Sequence, residues 1–199
     1  MLNHKPPVAR RHPEVPERVA MIWKSLEKYV DQCEIIKTST STYFTFEYRT
    51  ISKAQTYQHT GTAITRENML RCHDKTYIKR LKTLSSKDIL ASDTYHNEHT
   101  LLAAKIAAEC ALNLAKRLLS VTKTKSNGYA VIRPPGHHCS HAKTHGFCVL
   151  NNVAIAARHA SCEKKKRVVV FDWDVHHGDG TERILRDDPN VLYISVRVV

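Results

Sequence analysis

The stretch that decides the fold is "VVVFDWDVHHGDGT", residues 168–181, in which acids and histidines follow directly on an apolar run. The valines predict a buried strand, and the polar residues behind it predict a functional loop at the carboxyl end of that strand. If the strand conformation continues, the side chains of Asp172, Asp174 and His176 share one face. This loop is therefore a candidate ligand-binding edge of a sheet.

The residue types in this loop point to a metal. Carboxylate and imidazole groups are both good zinc ligands, and a catalytic zinc typically takes three protein ligands and a water molecule. Asp174 and His176 supply two such ligands, so the set needs one more residue. An Asp-rich strand end is also compatible with magnesium in a phosphate site. The spacing alone leaves both metals open.

A second loop, "RPPGHHCSHAKTHGF" at residues 133–147, cannot be helical because two prolines and a glycine interrupt it. Its adjacent imidazoles, His137 and His138, titrate near neutral pH and are candidates for a general base and a general acid. Asp172 and Asp179 could each accept a hydrogen bond from one of these rings, which would fix its tautomer and raise its pKa. A metal, a base and an acid together make an amide-hydrolysing apparatus.

The second half of the chain alternates apolar strands with helices, which predicts an α/β fold with a parallel sheet covered on both faces. Helices are predicted from Glu14 to Val30 and over residues 98–121, and a short strand at "YAVI", residues 129–132. The stretch from Thr38 to Thr60 is predicted to be irregular, with a short extended piece around Tyr43 to Tyr48. Both histidine-rich loops are expected to meet at one sheet edge.

The bulk composition excludes few functions. The 199 residues suit one domain, and the formal charge of +12 is spread along the chain rather than gathered into a nucleic-acid motif. The basic run "EKKKRVVV", residues 163–170, is compatible with a nuclear import signal, but an exposed turn before a buried strand is preferred. Six scattered cysteines indicate reduced thiols. No apolar run approaches the ~20 residues of a membrane helix, and no signal peptide is recognisable.

Three segments, "RPPGHH", "GFCVLNNVAIAA" and the opening stretch, resemble zinc-dependent histone deacetylases, especially the class II and bacterial amidohydrolase branch. "HPEVPERV", "LRCHDKTYIKRL" and "SDTYHNEHTLLAA" resemble earlier segments of the same family. The resemblance implies a three-layer α/β fold of the arginase/deacetylase type, with a mostly parallel sheet flanked by helices and truncated at the C-terminus. It also implies a single, incomplete histone deacetylase domain over residues 1–199, in which residues 38–60 are divergent or inserted.

The resemblance implies a role for each candidate residue. The two loops divide the catalytic work: zinc binding by Asp174 and His176, general base and acid catalysis by His138, electrostatic support by His137, and orientation of the rings by Asp172 and Asp179. Three residues resemble the acetyl-lysine channel and its rim: Gly146, Phe147 and Asp93. A structural potassium ion would take four backbone carbonyls and one hydroxyl, from Asp172, Asp174, His176, Val196 and, for the hydroxyl, Ser195.

Two functional residues of the family have no counterpart in this chain. The third zinc ligand, an Asp, and the Tyr that donates a hydrogen bond to the transition state both fall after Val199. The sequence "VRVV" also stands where a Leu-His-Arg type of continuation is expected. Two ligands bind zinc less well than three, and no residue replaces the Tyr as an oxyanion donor, so the chain as given is expected to be weakly active or inactive.

The leading hypothesis is a fragment of a zinc-dependent deacetylase that hydrolyses the acetyl-lysine amide of histones or other proteins. Its partners would be the acetylated protein and a corepressor complex, in the nucleus, the cytoplasm or both. Two alternatives stay open: a non-catalytic truncated isoform that binds partners of the complete deacetylase, and a deacetylase of small molecules such as acetylpolyamines. A two-manganese ureohydrolase lacks support because the chain has no second D-x-D or D-x-H set.

Overall fold

A computed structural model describes residues 4–6, 12–38, 41–48, 56–59, 63–84, 90–120 and 127–197. The helices of this described part are α1 Pro16–Leu26, α2 Arg66–Leu70, α3 Lys75–Thr83, α4 Thr100–Ser120, α5 Asn152–Arg158 and α6 Asp179–Leu185. A 3₁₀ helix, Glu27–Gln32, follows α1, and a π-helical turn, His159–Glu163, follows α5. The strands are β1 Cys33–Thr38, β2 Ser41–Tyr48, β3 Thr56–His59, β4 Asn127–Ala130, β5 Val168–Asp172 and β6 Val191–Ser195.

The first helix is shorter than its apolar spacing predicts. The spacing predicts Glu14 to Val30, whereas α1 begins at Pro16 and gives way to the 3₁₀ helix after Leu26. Proline suits the first helical position because its fixed φ is helical and its missing N–H would be unpaired there in any case. Glu14 therefore lies outside the helix, where it is buried and pairs with a distant part of the chain.

The longest helical prediction, residues 98–121, is confirmed by α4, Thr100–Ser120. Its buried side carries small residues, among them Ala104 and Ala108, which are at most 1% exposed. Together with Leu112 they join the main hydrophobic core, to which α5 contributes Ile155. Small side chains on α4 leave space for the larger apolar residues of its neighbours, so this helix forms one wall of the core.

The strands form two sheets. In the four-stranded sheet the order is β3-β1-β2-β4, with β1–β3 parallel and both β1–β2 and β2–β4 antiparallel. The second sheet pairs β5 with β6 in parallel, and α6 connects them. The strand–helix–strand order of the second half is therefore as the sequence predicts, and its crossover is the one that parallel strands require.

One local prediction is confirmed in part and another is wrong. The extended piece predicted around Tyr43 to Tyr48 is β2, Ser41–Tyr48, and a further strand, β3 Thr56–His59, lies in the stretch predicted to be irregular, whose residues 39–40, 49–55 and 60 are outside the described part. The strand before the first histidine-rich loop is not a neighbour of β5, because β4 pairs with β2 in the four-stranded sheet. Local apolar spacing identifies a strand but carries no information on its partner, and the Thr- and Tyr-rich composition of residues 41–48 is that of a strand.

The β5–β6 sheet has one buried and one open face among the described residues. Val170 packs in the main core with Ile184 and Leu185 of α6. On the other face Val169 and Leu192 are 63% and 57% exposed, with Phe171 and Ile194 beside them on the same strands and also exposed. Parallel sheets normally bury both faces. The described residues cover only one side of this sheet, and its strand ends carry the site.

Three other expectations concern the basic run, the thiols and the absence of a membrane helix. Residues 164–167 form an exposed turn before β5, as preferred over the import signal. The cysteines at positions 72, 110, 139, 148 and 162 are free, and all but the last are buried. None of the described helices combines the length and the apolar character that crossing a bilayer would require.

Candidate active site

The first histidine–aspartate pair joins the two loops at the end of β5. His137 Nδ1 donates to Asp172 Oδ2 at 2.9 Å. The hydroxyl of Tyr193 on β6 lies 3.1 Å from the same carboxylate oxygen and 3.0 Å from the Gly178 carbonyl. Burial, together with the charge of Asp172, raises the pKa of Tyr193 to about 12, so this hydroxyl stays a donor. Asp172 on β5 binds the His137 ring, and Tyr193 on β6 holds the Asp172 carboxylate, so residues of two strands fix the orientation of the ring.

Gly178 makes this first pair possible. A Cβ atom at position 178 would lie 2.2 Å from Asp172 Oδ2, 2.5 Å from the Tyr193 hydroxyl and 3.0 Å from His137 Nδ1. No side chain fits there without moving the pair. Gly178, the first glycine of "HHGDG", is therefore required for steric reasons. The search for metal ligands by residue type did not identify this requirement.

The second pair has the same form. His138 Nδ1 donates to Asp179 Oδ1 at 3.0 Å, at the start of α6. Burial lowers the pKa of His138 and the neighbouring His137 and His145 act in the same direction, although the bond to Asp179 opposes them. Partial burial opposes ionisation of Asp179, but bonds from His138 and His145 hold the pKa of its carboxyl below the ordinary value. The pair is thus a neutral imidazole beside a carboxylate near neutral pH.

The side chain of Asn151 connects the two loops through hydrogen bonds. It is fully buried, and its Nδ2 donates to the Cys139 carbonyl at 2.9 Å and to Thr181 Oγ1 at 3.0 Å. Its Oδ1 accepts from Ala154 N at 3.0 Å and so caps α5. Thr181 N in turn donates to the His137 carbonyl at 2.9 Å. One side chain therefore connects the first loop, α5 and α6, and it holds the histidine pair in register with α6.

Asp174 and His176, the predicted zinc ligands, lie together and face the solvent. Asp174 Oδ1 accepts from His176 N at 2.8 Å and lies 2.9 Å from His176 Nδ1. Partial burial opposes ionisation of Asp174, but the His176 bonds hold the pKa of its carboxyl below the ordinary value. His137 Nε2 lies 4.0 Å from Asp174 Oδ1, and the rings of His138 and His176 are 6.0 Å apart. The two loops therefore do meet.

The donor chemistry of this pair fits zinc, with one carboxylate and one imidazole whose side chains are 48% and 72% exposed. The described residues bring no third protein ligand into a set with Asp174 and His176. His177, their neighbour in the sequence, is engaged elsewhere, because its Nε2 lies 2.8 Å from Glu182 Oε2. The pair therefore has the ligand types for two positions of a zinc site, and its metal binding stays a prediction.

The structure adds a third imidazole that the sequence reasoning missed. His145 Nε2 lies 3.2 Å and 3.3 Å from the two carboxylate oxygens of Asp179. Its ring is 4.8 Å from the ring of His138. The signal was present in the first loop, where a histidine stands directly before Gly146, but the loop holds several histidines and the spacing does not rank them.

The predicted channel residues form a tight turn beside His138. Gly146 and Phe147 both have left-handed backbone, with φ of 56° and 67°. Asp93 Oδ2 accepts from Gly146 N at 2.9 Å, and Thr94 Oγ1 accepts from Phe147 N at 3.0 Å. Burial opposes ionisation of Asp93, but the Gly146 and Thr94 bonds hold its pKa below the ordinary value. The structure brings Asp93, Gly146 and Phe147 together next to the catalytic candidates.

Replacing Gly146 with alanine is expected to displace the His138 ring. A Cβ atom there would lie 2.2 Å from His138 Cδ2, and the left-handed φ adds strain for any L-residue. The expected loss of stability is about 1–3 kcal/mol, together with shifted ring resonances of His138 in NMR spectra. Lys143→Ala, an exposed change in the same loop, is the control. Unchanged His138 resonances in G146A would contradict the packing described here.

The region predicted to hold potassium lies where β5 pairs with β6. Asp172 and Ser195 are opposite one another in the register, and Val196 N donates to the Asp172 carbonyl at 3.0 Å. The Ser195 hydroxyl oxygen is buried. These contacts bring Asp172, Ser195 and Val196 together, and a potassium ion there stays a prediction.

A buried ion pair anchors the start of the first loop. Arg133 Nε and Nη2 donate to Glu14 Oε1 and Oε2, each at 2.6 Å, and both side chains are 2% exposed. The hydroxyl of Tyr95 donates to Glu14 Oε2 at 2.7 Å and accepts from Arg133 at 2.6 Å. Bidentate geometry of this kind fixes both groups. The network ties the start of the histidine loop to the segment before α1 and to the turn that carries Asp93.

Comparison with known proteins finds similar sequences over nearly the whole chain. The family model described as Histone deacetylase domain matches residues 12–197. Histone deacetylase 6 of Caenorhabditis elegans is 35% identical over 193 residues, which cover 93% of this chain and 18% of that protein. Polyamine deacetylase HDAC10 of Rattus norvegicus is 50% identical over 102 residues, which cover 51% of this chain and 17% of that protein.

A solved structure agrees with the fold. The crystal structure of the HDA15 HD domain superposes with a TM-score of 0.78 at 32% sequence identity, covering 98% of this chain and 51% of that chain. This likeness confirms the predicted deacetylase-like α/β fold. The chain spans less than a fifth of the length of the two curated relatives and about half of the solved domain.

Proposed function

Because this chain belongs to the histone deacetylase family, we propose that its two histidine-rich loops form part of a catalytic centre that hydrolyses the amide of acetyl-lysine. One observation carries the proposal. Two histidine–aspartate pairs, His137–Asp172 and His138–Asp179, stand side by side with ring centroids of the histidines 4.1 Å apart. Paired, oriented imidazoles beside metal-binding side chains are the parts that amide hydrolysis needs.

Zinc is the metal that we assign to Asp174 and His176. Their carboxylate and imidazole are the ligand types of catalytic zinc, and their nearness to His137 supports the assignment. A zinc ion held here supplies Lewis-acid polarisation of the acetyl carbonyl. A structural potassium ion, with ligands from Asp172, Asp174, His176, Ser195 and Val196, stays a prediction.

His138 is the residue that we assign to proton transfer. Its Nδ1–H donates to Asp179, so Nε2 carries the lone pair. The lowered pKa keeps this nitrogen unprotonated near neutral pH, as a base requires. As water oxygen bonds to the acetyl carbon, Nε2 takes the water proton and passes it to the lysine nitrogen while the C–N bond breaks. The products are acetate and free lysine.

His137 is the electrostatic partner of His138 in this proposal. Asp172 and the Tyr193 hydroxyl hold its ring at the end of β5, next to Asp174. Gly146 and Phe147 are assigned to the wall of the acetyl-lysine channel, supported by the contact of Gly146 with the His138 ring. Asp93 is assigned to the rim, where it already binds the Gly146 N–H.

The substrate that we propose is an acetylated histone or another acetyl-lysine protein, bound alone or within a corepressor complex in the nucleus or cytoplasm. A small-molecule substrate is the second candidate. The relative from Rattus norvegicus that is named a polyamine deacetylase matches half of this chain at 50% identity. Both substrate classes present the same N-acetyl amide on a flexible aliphatic chain, so the two loops suit either.

The test compares zinc content and hydrolysis in matched variants. We expect Asp174→Asn to lower the zinc content that the chain reaches at a fixed concentration of added zinc, measured by elemental analysis. His177→Asn is the control, because His177 is a neighbouring histidine paired with Glu182. Any hydrolysis of an acetyl-lysine peptide or of an acetylpolyamine should fall by about 10²–10⁴-fold in His138→Ala and persist in the control.

Three outcomes divide the hypotheses. Turnover of the peptide over the polyamine supports the protein deacetylase, and the reverse ratio supports the small-molecule enzyme. Zinc binding without turnover of either substrate supports the non-catalytic, partner-binding form. Zinc content that is the same in Asp174→Asn and in the unaltered chain would overturn the proposed centre.

A further inference from the structure

The carboxylate of each histidine–aspartate pair is bound by a further hydrogen-bond donor. In the first pair this donor is the Tyr193 hydroxyl, 3.1 Å from Asp172 Oδ2. In the second pair it is His145, whose Nε2 lies 3.2 Å from Oδ1 and 3.3 Å from Oδ2 of Asp179. We propose that His145 is a positioning residue, which holds the Asp179 carboxylate in the orientation that keeps His138 in its Nδ1–H tautomer. This inference rests on the proposed function and deepens it, because it adds a residue that acts on the proton-transfer histidine through its carboxylate.

His145 is the donor in its contact with Asp179. Partial burial opposes ionisation of Asp179, but bonds from His138 and His145 hold the pKa of its carboxyl below the ordinary value, so near neutral pH the group is a carboxylate. A carboxylate only accepts hydrogen bonds, so the nitrogen of His145 that faces it, Nε2, carries the proton. This N–H lies at nearly the same distance from both carboxylate oxygens, so it restrains the rotation of the carboxylate.

The turn that carries His145 is itself well anchored. Cys148 N donates to the His145 carbonyl at 3.0 Å, and Asp93 Oδ2 accepts from Gly146 N at 2.9 Å. The same turn packs Gly146 against the His138 ring, where a Cβ atom would lie 2.2 Å from Cδ2. Two consecutive residues of the loop therefore act on the second pair, one by packing against the ring and the other by binding its carboxylate partner.

Among the described residues, Arg183 is the other cationic side chain at this carboxylate. Its Nη2 lies 3.5 Å from Asp179 Oδ2, and its side chain is 54% exposed. An exposed ion pair of this kind restrains its partners weakly. Arg183 also lies on α6 together with Asp179 and approaches the oxygen that does not bind His138. His145 is therefore the better placed of the two to fix the carboxylate relative to the His138 ring.

The tautomer of His138 is the property that this contact controls. A neutral imidazole carries its proton on either nitrogen, and a hydrogen bond at one nitrogen selects between the two forms. With Asp179 Oδ1 3.0 Å from Nδ1, the proton stays on Nδ1 and Nε2 keeps its lone pair. If the carboxylate turns away, the Nε2–H form becomes populated, and this form has no lone pair on Nε2 to accept the proton of a water molecule.

The ¹⁵N shifts of the His138 ring report its tautomer directly and test the inference. At about pH 8 an imidazole of ordinary pKa, about 6.5, is neutral, so the shifts give the ratio of the Nδ1–H to the Nε2–H form. We expect this ratio to fall by about 3–10-fold in His145→Ala, the range for the loss of one hydrogen bond. His145→Leu should lower it as much, because leucine fills similar space but donates no bond. His145→Gln, whose amide can donate to the carboxylate, should keep the ratio of the unaltered chain.

His141→Ala is the matched control. It removes another histidine of the same loop, an exposed one whose Nδ1 donates to the Cys72 carbonyl at 2.9 Å. This variant should keep the tautomer ratio of His138, whereas a general loosening of the loop would change the ratio in both variants. An unchanged ratio in His145→Ala, an equal change in His141→Ala, or a ratio in His145→Gln as low as in His145→Ala would overturn the positioning role. The proposed function fails on a different measurement, namely a zinc content that Asp174→Asn does not change, so the two failures are distinguishable.

Discussion

Replacing Glu14 with glutamine is expected to lower the free energy of unfolding by about 3–5 kcal/mol, the usual cost of removing one partner of a buried ion pair. The change removes the carboxylate that binds the Arg133 guanidinium through two hydrogen bonds, in a site where both side chains are 2% exposed. Tyr95 keeps only its contact with Arg133 as a charged partner. For a domain of ordinary stability, about 5–15 kcal/mol, this is a large fraction of the total. Urea denaturation followed by far-UV circular dichroism measures it.

Glu17→Gln is the control for this change. Glu17 is an exposed acidic residue in the first turn of α1, three positions further along the chain. Its substitution is expected to change stability by no more than about 0.5–1 kcal/mol. If Glu14→Gln and Glu17→Gln had equal effects, the buried pair would not be what holds the first histidine loop to the segment before α1.

Acidification from pH 6.5 to pH 4 is expected to remove about 3 kcal/mol of stability through His73. The ring is buried, with Nδ1 donating to the Ser140 carbonyl at 2.9 Å and Nε2 accepting from Asn151 N at 3.0 Å. Burial lowers the pKa of His73 to about 4. Between these pH values the unfolded chain binds a proton that the folded chain does not, so the stabilisation is complete above pH 6.5 and is lost as the pH falls.

The pH dependence of His73→Gln separates this residue from other acid-sensitive groups. We expect a smaller slope of stability against pH between 6.5 and 4, while His99→Gln keeps the slope of the unaltered chain. The slope should not vanish, because burial and the nearby Arg133 lower the pKa of His4 to about 3. Chemical denaturation at several pH values gives the slopes. Equal slopes in His73→Gln and the unaltered chain would mean that the pKa of His73 is the same in the folded and the unfolded chain, which would contradict the prediction.

The local signals of the sequence indicate where the candidate residues lie. Strand β5 is indicated by a run of valines, but it ends at Asp172, so Asp174 and His176 do not continue one strand face with Asp172. Asp172 and Asp179 each pair with one of the two rings, as predicted, and the structure adds which ring, His137 for Asp172 and His138 for Asp179. Their catalytic and metal-binding roles stay predictions. The fold of the second half follows from the same strand–helix alternation.

What the sequence does not predict is long-range. The pairing of β4 with β2 depends on residues about eighty positions apart, and no local period encodes it. The Glu14–Arg133 pair joins residues 119 positions apart, and an acid in a proline-flanked segment looks like an ordinary surface residue until its partner is known. His145 was one of several histidines in a loop, and only the position of Asp179 distinguishes it. Gly178 of "HHGDG" is a further example. The atoms that leave no room for a side chain at position 178 belong to Asp172 and Tyr193, and the motif alone does not show them.

The central claim is that the two histidine-rich loops share one metal centre, and anomalous diffraction at the zinc edge from crystals of the zinc-loaded chain tests it most directly. The account predicts a zinc peak at about 2.0–2.2 Å from ligand atoms of Asp174 and His176, with the rings of His137 and His138 on the same side. A zinc-loaded structure with no zinc at Asp174 and His176, or with the two loops on opposite sides of the molecule, would contradict it.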